Sequence, residues 1–337
     1  MEHKVYYNVI SKYRTEIMGI AMILLVFYHF SFPVLPPIIK ELHEISYFGV
    51  DIFILISGMG LYVSLDKNDN IFLFWKKRFL RIFPIYVPVV FLYSVISILK
   101  DHQNISLIFW NCTTLSFWRN LDGAFNWYVP ALVVLYMIAP LYYKIMKKFK
   151  NKEFLAFLSI IFGLGVCFLM VKIKAYHLLI LFSRLPIFFI GFWFGEKVLL
   201  NQKVSKKFIA SNMLFCLIGC IVLFYWINNY DNDTLRGYGL WWYPFLLIVP
   251  SVVLGLGRLF QKIGKKEYKI ISFFGRNSLE IFLVNICVVR FGYIIKQRLP
   301  FDTYNIIYNL ICIVLNLCIA VIYIKCFDGI KKHVIKR

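Results

Sequence analysis

Among the six histidines of the chain, His29 stands apart. It ends the apolar run Gly19-Ile-Ala-Met-Ile-Leu-Leu-Val-Phe-Tyr-His, whereas His3, His43, His102, His177 and His333 fall in loops or tails. Imidazole is the side chain that exchanges a proton near neutral pH, so a proton-transfer role is open to His29. A packing role, with the ring bonded to a neighbouring backbone carbonyl, is open to it on residue type as well. Ionisable groups cost ~2.5–3.5 kcal/mol in the middle of a hydrocarbon-spanning helix, so the few others in apolar runs also ask for a reason. They are Asp51, Arg184, Glu280 and Arg290, with polar Asn285 beside them. Asp51 has the chemistry to orient an imidazole, as the third member of a triad does, and equally suits an outer-interface position. Arg184 and Glu280 form a second tier that can face one polar cavity. Arg290, near the outer end of its run, can snorkel to the surface. Ser57 is followed by Gly58 and Gly60, small residues that mark close helix approach and not a nucleophile.

A second constellation is basic. In Phe74-Trp-Lys-Lys-Arg78-Phe-Leu-Arg81-Ile-Phe-Pro84 the two arginines are three residues apart and share a helix face. Two guanidinium forks on one face suit bidentate phosphate recognition. An anchor for anionic lipid would have the same composition, and spacing leaves both roles open.

The elements that must position these groups follow from composition. Of 337 residues, 61% are hydrophobic and 16% charged, with a mean hydropathy of +0.72. Soluble domains are about half apolar and about a quarter charged, so a soluble enzyme is excluded. A crossing needs ~20 mostly apolar residues, and ten such runs are predicted, near 16–34, 46–65, 82–99, 127–145, 154–172, 178–197, 208–227, 239–257, 272–295 and 305–325. The expected fold is all-α, a polytopic membrane helix bundle forming one integral-membrane domain over 1–337.

The formal charge of +21 would imply nucleic acid in a soluble chain. Here it reports topology. With both termini in the cytoplasm, 28 of the 38 Lys and Arg fall in inner segments, among them Lys76 to Arg81, Lys144 to Lys152 and Lys262 to Lys269. Eight fall outside, and the asymmetry obeys the positive-inside rule with no loop out of place. Merging the two runs around Lys172 to His177 would put later basic clusters outside. The stretch Met1 to Arg14 is too polar to begin a cleaved signal, and no small-residue cleavage site follows the first run, so that helix is expected to stay. Seven of the eight cysteines lie in or beside apolar runs and Cys112 in a loop, so no disulfide framework is expected. The longest outer loop, Lys100 to Asn126, carries Phe109, Trp110, Phe117, Trp118 and Phe125, residues suited to interfacial anchoring.

Four stretches, taken in order, carry a resemblance. They are Tyr13-Arg-Thr-Glu-Ile-Met-Gly-Ile-Ala through His29; Phe48-Gly-Val-Asp51-Ile-Phe-Ile-Leu-Ile-Ser57-Gly58; Lys77-Arg-Phe-Leu-Arg-Ile-Phe-Pro84; and Asn126-Trp-Tyr-Val-Pro130 with Tyr136 and Pro140. Looser matches are Arg184-Leu-Pro-Ile-Phe-Phe-Ile-Gly191 and Phe274-Gly-Arg-Asn-Ser-Leu-Glu280-Ile-Phe-Leu-Val-Asn285. From about Tyr13 to Asn285 the chain resembles acyltransferase family 3, integral-membrane acyltransferases that modify sugars of cell-surface polymers.

The resemblance implies that His29 is the first-span histidine and that Arg78 and Arg81 are the paired arginines at an acyl-CoA-binding mouth. Members often carry a basic residue eleven positions before the histidine. Here Met18 stands there, and Arg14, one turn earlier on nearly the same face, is the substitute. Asn285 stands where many members have a late histidine, so no second catalytic histidine is assigned. Arg14 and His29 are fifteen residues apart, ~22 Å along a helix. Phosphates held by Arg14, Arg78 and Arg81 inside would let a thioester arm extend toward His29 in the outer half. There an acceptor hydroxyl from outside would meet it, with His29 as general base or transient acyl carrier. The implied donor is acetyl-CoA, with acetyl as the family default. The implied acceptor is a hydroxyl of a cell-surface saccharide or lipid-linked glycan. Membrane lipid is the surrounding partner, neither metal nor nucleic acid is expected, and the expected location is the bacterial inner membrane. The competing class is a transporter or flippase for a glycan or lipid-linked precursor, which ten spans with buried charges also fit.

Overall fold

A computed structural model describes residues 5–30, 35–121, 126–264, 268–296 and 306–335. Lys4, Phe125, Lys265, Lys266, Arg298, Lys336 and Arg337, used above for topology or anchoring, lie outside the described residues. The helices are α1 (Asn8–Lys12), α2 (Arg14–His29), α3 (Pro37–Ile45), α4 (Gly49–Lys67), α5 (Ile71–Asp101), α6 (Ser106–Cys112), α7 (Leu115–Trp118), α8 (Tyr128–Lys148) and α9 (Lys152–Lys172). They continue with α10 (Leu179–Phe182), α11 (Leu185–Leu199), α12 (Lys206–Asn229), α13 (Asn232–Gly237), α14 (Tyr243–Ile263), α15 (Lys269–Arg276), α16 (Ser278–Lys296) and α17 (Ile306–Ile335). Among the described residues the only strand-like pairing is an isolated antiparallel bridge between Tyr6 and Lys203. All eight cysteines are free thiols.

The protein is a helical polytopic bundle. Eight helical stretches are long and apolar enough to cross a membrane: Pro37–Lys67, Ile71–Asp101, Tyr128–Lys148, Lys152–Lys172, Tyr176–Leu199, Lys206–Asn229, Tyr243–Ile263 and Tyr308–Phe327. Each coincides with a predicted run. The run at 272–295 falls on α15 and α16, which meet at a 78° bend and count as a ninth crossing if taken as one span. The first run falls on α2, whose 16 residues extend ~24 Å at 1.5 Å each, short of the ~30 Å hydrocarbon. The sequence supplies the reason α2 stops at His29: in a continued helix the ring of Pro33 would strike the carbonyl four residues earlier, that of His29 itself.

The chain divides into two compact units of interleaved segments. Unit 1 comprises Met1–Met18, Val50–Phe74 and Val134–Lys269. Its central crossing is α4 on α11. A Cβ added at Gly58 would lie 2.5 Å from the Phe188 carbonyl oxygen and 3.3 Å from the Gly191 Cα, and one added at Gly195 would lie 2.7 Å from the Tyr62 Cβ. Only hydrogen at these positions lets the two backbones touch. Around the crossing Tyr142 packs on Phe189 at 4.4 Å and on Phe192 at 5.3 Å, and its hydroxyl meets Ser159 Oγ at 2.9 Å. On α12 the residues Met213, Leu214, Leu217, Ile221 and Phe224 are exposed, an apolar surface suited to lipid.

Unit 2 comprises Gly19–Gly49, Trp75–Val133 and Ile270–Arg337. Here α16 and α17 are tied by Asn316 Nδ2 donating to Asn285 Oδ1 at 3.1 Å and by the Tyr308 hydroxyl donating to the Gly292 carbonyl at 2.7 Å. Tyr93 of α5 packs on Phe291 of α16 at 6.1 Å, and Tyr128 at the start of α8 packs on Phe282 at 4.9 Å. Polar residues that would be costly facing lipid are thus spent as bonds between helices.

Candidate functional site

His29 is the last residue of α2. The helix is held by neighbours that require small residues. A Cβ at Gly19 would collide with the Ile271 backbone of α15, and one at Gly49 would lie 2.5 Å from the Ala21 carbonyl oxygen and 3.1 Å from Leu25. The half-buried His29 ring places Nδ1 2.7 Å from the carbonyl oxygen of Leu25, one turn back in the same helix. A carbonyl only accepts, so Nδ1 carries the hydrogen and, in the neutral ring, Nε2 keeps the lone pair. One ring nitrogen is therefore spent on a bond within its own helix, and the other keeps its lone pair.

The structure adds a residue that sequence spacing did not single out. His43, on α3, returns to the end of α2, where its Nε2 lies 2.8 Å from the Phe30 carbonyl oxygen and its ring meets Phe27 edge-on at 4.8 Å. Tyr28 packs between His29 at 5.3 Å and Tyr47 at 5.5 Å. No local signal in the sequence marks His43, because the contact is made by a chain reversal.

Arg78 and Arg81 share unit 2 with His29. They ride on an extension of α5, which begins at Ile71, about three turns before the predicted run. Asn70 Oδ1 caps that start by accepting from the Leu73 backbone N–H at 2.9 Å. Arg78 is half-buried and Arg81 exposed, with their Cα atoms ~4.5 Å apart along the axis. Pro84 and Pro88 follow inside the same helix, each withholding an N–H from the carbonyl four residues back. Arg14, the third expected phosphate ligand, begins α2 and belongs to unit 1. Its guanidinium lies against Gly60, where an added Cβ would be 3.2 Å from both terminal nitrogens. Gly60 is thus small to admit an arginine, whereas Gly58 is small to admit a helix.

Asp51, in the first turn of α4, is held by Arg184 at the N-terminus of α11. Arg184 Nε lies 3.3 Å from Asp51 Oδ1, and the two side chains are only 2% and 3% exposed. Arg184 Nη1 also donates to the Ile180 carbonyl at 2.6 Å, and its guanidinium lies over the Trp242 ring at 5.2 Å. The group orienting His29 is therefore the Leu25 carbonyl, while Asp51 engages an arginine in unit 1. Glu280 is buried in the first turn of α16, just past the bend, in unit 2. Arg184 and Glu280, grouped together from sequence, thus belong to different units. Asn285 is bonded to Asn316, and Arg290 is exposed as expected.

A polar relay in unit 2 was also not foreseen. Asn126 Nδ2 donates to the Tyr86 hydroxyl at 2.5 Å, Tyr86 donates to the Asn111 carbonyl at 2.8 Å, and Asn111 Nδ2 donates to Ser94 Oγ at 3.0 Å. All four residues are buried. The relay fastens the outer loop and the entry to α8 onto α5. Within that loop Phe117 is buried, Arg119 lies over Trp110 at 4.6 Å, and Phe109 is exposed, so the loop is partly packed and partly available as an interfacial anchor.

Comparison with known protein families matches residues 18–325 to an acyltransferase domain, that of acyltransferase family 3. No curated protein and no solved structure matches the chain. The matched region covers both units and contains His29, Asp51, Arg78, Arg81, Arg184 and Glu280, with Arg14 four residues before its start. A helical, membrane-embedded chain with this match over nearly its whole length belongs to acyltransferase family 3 and is a membrane acyltransferase.

Proposed function

We propose that this enzyme takes an acetyl group from cytoplasmic acetyl-CoA and delivers it to a hydroxyl of a cell-surface saccharide or lipid-linked glycan, in the bacterial inner membrane. The observation that carries the chemistry is the bond from His29 Nδ1 to the Leu25 carbonyl, which leaves Nε2 as the proton acceptor. In the transfer step the acceptor hydroxyl gives its proton to Nε2 as its oxygen attacks the thioester carbonyl. The C–S bond then breaks, the ester forms, and the imidazolium returns the proton to the departing thiolate, so the ring ends the cycle neutral. Base assistance of this kind is worth about 10²–10⁴-fold.

Arg78 and Arg81 supply charge-assisted bonds to the phosphates of the donor. A guanidinium pair with one half-buried and one exposed member suits a ligand arriving from water. A transporter or flippase needs no such clamp. The test is sidedness: with the protein in sealed vesicles, radiolabel from acetyl-CoA should reach a glycan in the opposite compartment only when the donor is on the face bearing Arg78 and Arg81. Glycan translocation without label transfer would return the protein to the transporter class.

A further inference from the structure

Two histidines reach the end of α2, and the transfer step above uses only His29. The other, His43, belongs to the same unit. It is carried by α3, a helix with no buried residue, whose Ile38, Ile39 and Leu42 are exposed. The His43 ring joins α3 to α2: its Nε2 lies 2.8 Å from the Phe30 carbonyl oxygen, and the ring meets Phe27 edge-on at 4.8 Å. Since a carbonyl only accepts, Nε2 carries the hydrogen and donates it.

That bond falls where α2 needs support. The last carbonyls of a helix have no partner within it, and helix ends fray. A histidine near the C-terminus can bond such a carbonyl. Phe30 directly follows His29 and is only 4% exposed, so the residue after the base is held by its buried ring and by its carbonyl on His43. The orientation of His29 depends on the same terminal turn. Its Nδ1 reaches the carbonyl oxygen of Leu25, four residues back, at 2.7 Å. Residues four apart lie one above the other only while the turn between them is helical. Unwinding that turn would part the two groups and release the imidazole to other rotamers. Tyr28, within the turn, is held as well, with its ring 5.3 Å from His29, 5.5 Å from Tyr47 and 6.4 Å from His43.

From this we infer that His43 is a positioning residue for the transfer reaction: its bond to the Phe30 carbonyl keeps the last turn of α2 wound and so holds His29 Nε2 in place. The inference rests on the reading of His29 as the base and adds a residue that acts through it. Misplacing a reacting group by about 1 Å can cost about 10²-fold in rate, so a bond outside the chemistry can carry a kinetic effect.

The experiment compares His43→Phe, His43→Leu and His43→Gln, each alone and combined with His29→Gln, as full-length protein in proteoliposomes. Radiolabel transfer from acetyl-CoA to methyl glucoside, methyl galactoside and methyl N-acetylglucosaminide is measured, with thermal unfolding in parallel. Phenylalanine and leucine lack the donor, the first keeping a ring against Phe27, whereas glutamine keeps an N–H. Loss of the donor should lower kcat about tenfold to a hundredfold with the acetyl-CoA KM unchanged, and His43→Gln should recover most of that loss. In the His29→Gln background the same changes should lower the rate by less than about twofold, because the group they position is gone. An equal loss in both backgrounds, a parent-like kcat in a folded donorless variant, or a His43→Gln protein as slow as His43→Phe would overturn the positioning role and leave the His29 assignment standing. Parent-level transfer by His29→Gln would instead overturn that assignment, and the positioning with it. No label in any of the three glycosides from parent protein that binds acetyl-CoA would overturn the acetyl-transfer reading on which both rest.

Discussion

Replacing His29 by glutamine separates the two jobs of its ring. In the structure Nδ1 donates to the Leu25 carbonyl at 2.7 Å, a bond with a net worth of about 0.5–1.5 kcal/mol. A glutamine amide can make the same donation, but it has no basic nitrogen. His29→Gln should therefore keep the stability of the parent within about 1 kcal/mol and lose the base, lowering kcat by about 10²–10⁴-fold, or about 2.7–5.5 kcal/mol of barrier. His29→Ala should show the same kinetic loss and, in addition, the small loss of stability. The assay is radiolabel transfer from acetyl-CoA, run beside acetyl-CoA binding by calorimetry and thermal unfolding in the same detergent. Binding should be unchanged in both variants, because the phosphate contacts are assigned to α5. Wild-type transfer by well-folded His29→Gln protein would refute the assignment, and with it the argument from the Leu25 bond.

Four further outcomes follow from the geometry. Arg78→Ala with Arg81→Ala should weaken acetyl-CoA binding by a decade or more per residue, since a bond to a charged group is worth about 1.5–3 kcal/mol; lysine at both positions should restore only part of it, because ammonium lacks the fork, and calorimetry that finds no loss would make the pair a lipid anchor. Asp51→Ala or Arg184→Ala alone should destabilise the protein by about 3–5 kcal/mol, because each strands a buried charge, while the double change to apolar residues of similar volume should cost much less; additive losses in unfolding measurements would contradict the pairing. Gly191→Ala sets a Cβ against the Leu55 backbone and should cost about 1–3 kcal/mol. Gly60→Ala first meets the movable end of Arg14 and should be tolerated, so equal melting temperatures for the two would count against the crossing described. Reporters fused after Arg337 and within Lys147 to Lys152 should read cytoplasmic and one near Asp231 outside; an outside reading at the C-terminus would show that the number of crossings has the wrong parity.

The membrane class, the placement of the apolar helices and the small set of chemically capable residues were legible in the sequence. Hydropathy is a local property imposed by the solvent, and every segment must meet it separately. The end of α2 at His29 was also written locally, in Pro33, although a hydropathy window runs past it. What the sequence could not decide was which polar groups meet. Asp51 finds Arg184 from another helix, Asn126 finds Tyr86 and through it Asn111, and His43 returns to the Phe30 carbonyl. Each contact depends on which helix faces turn toward each other and how closely they approach. That is decided by the shape of the packed surfaces, as where Gly58 and Gly191 let α4 and α11 touch. Hydropathy identifies the residues that cannot face lipid; only the tertiary structure decides the partners that make their burial affordable, because those partners come from segments far apart in the chain.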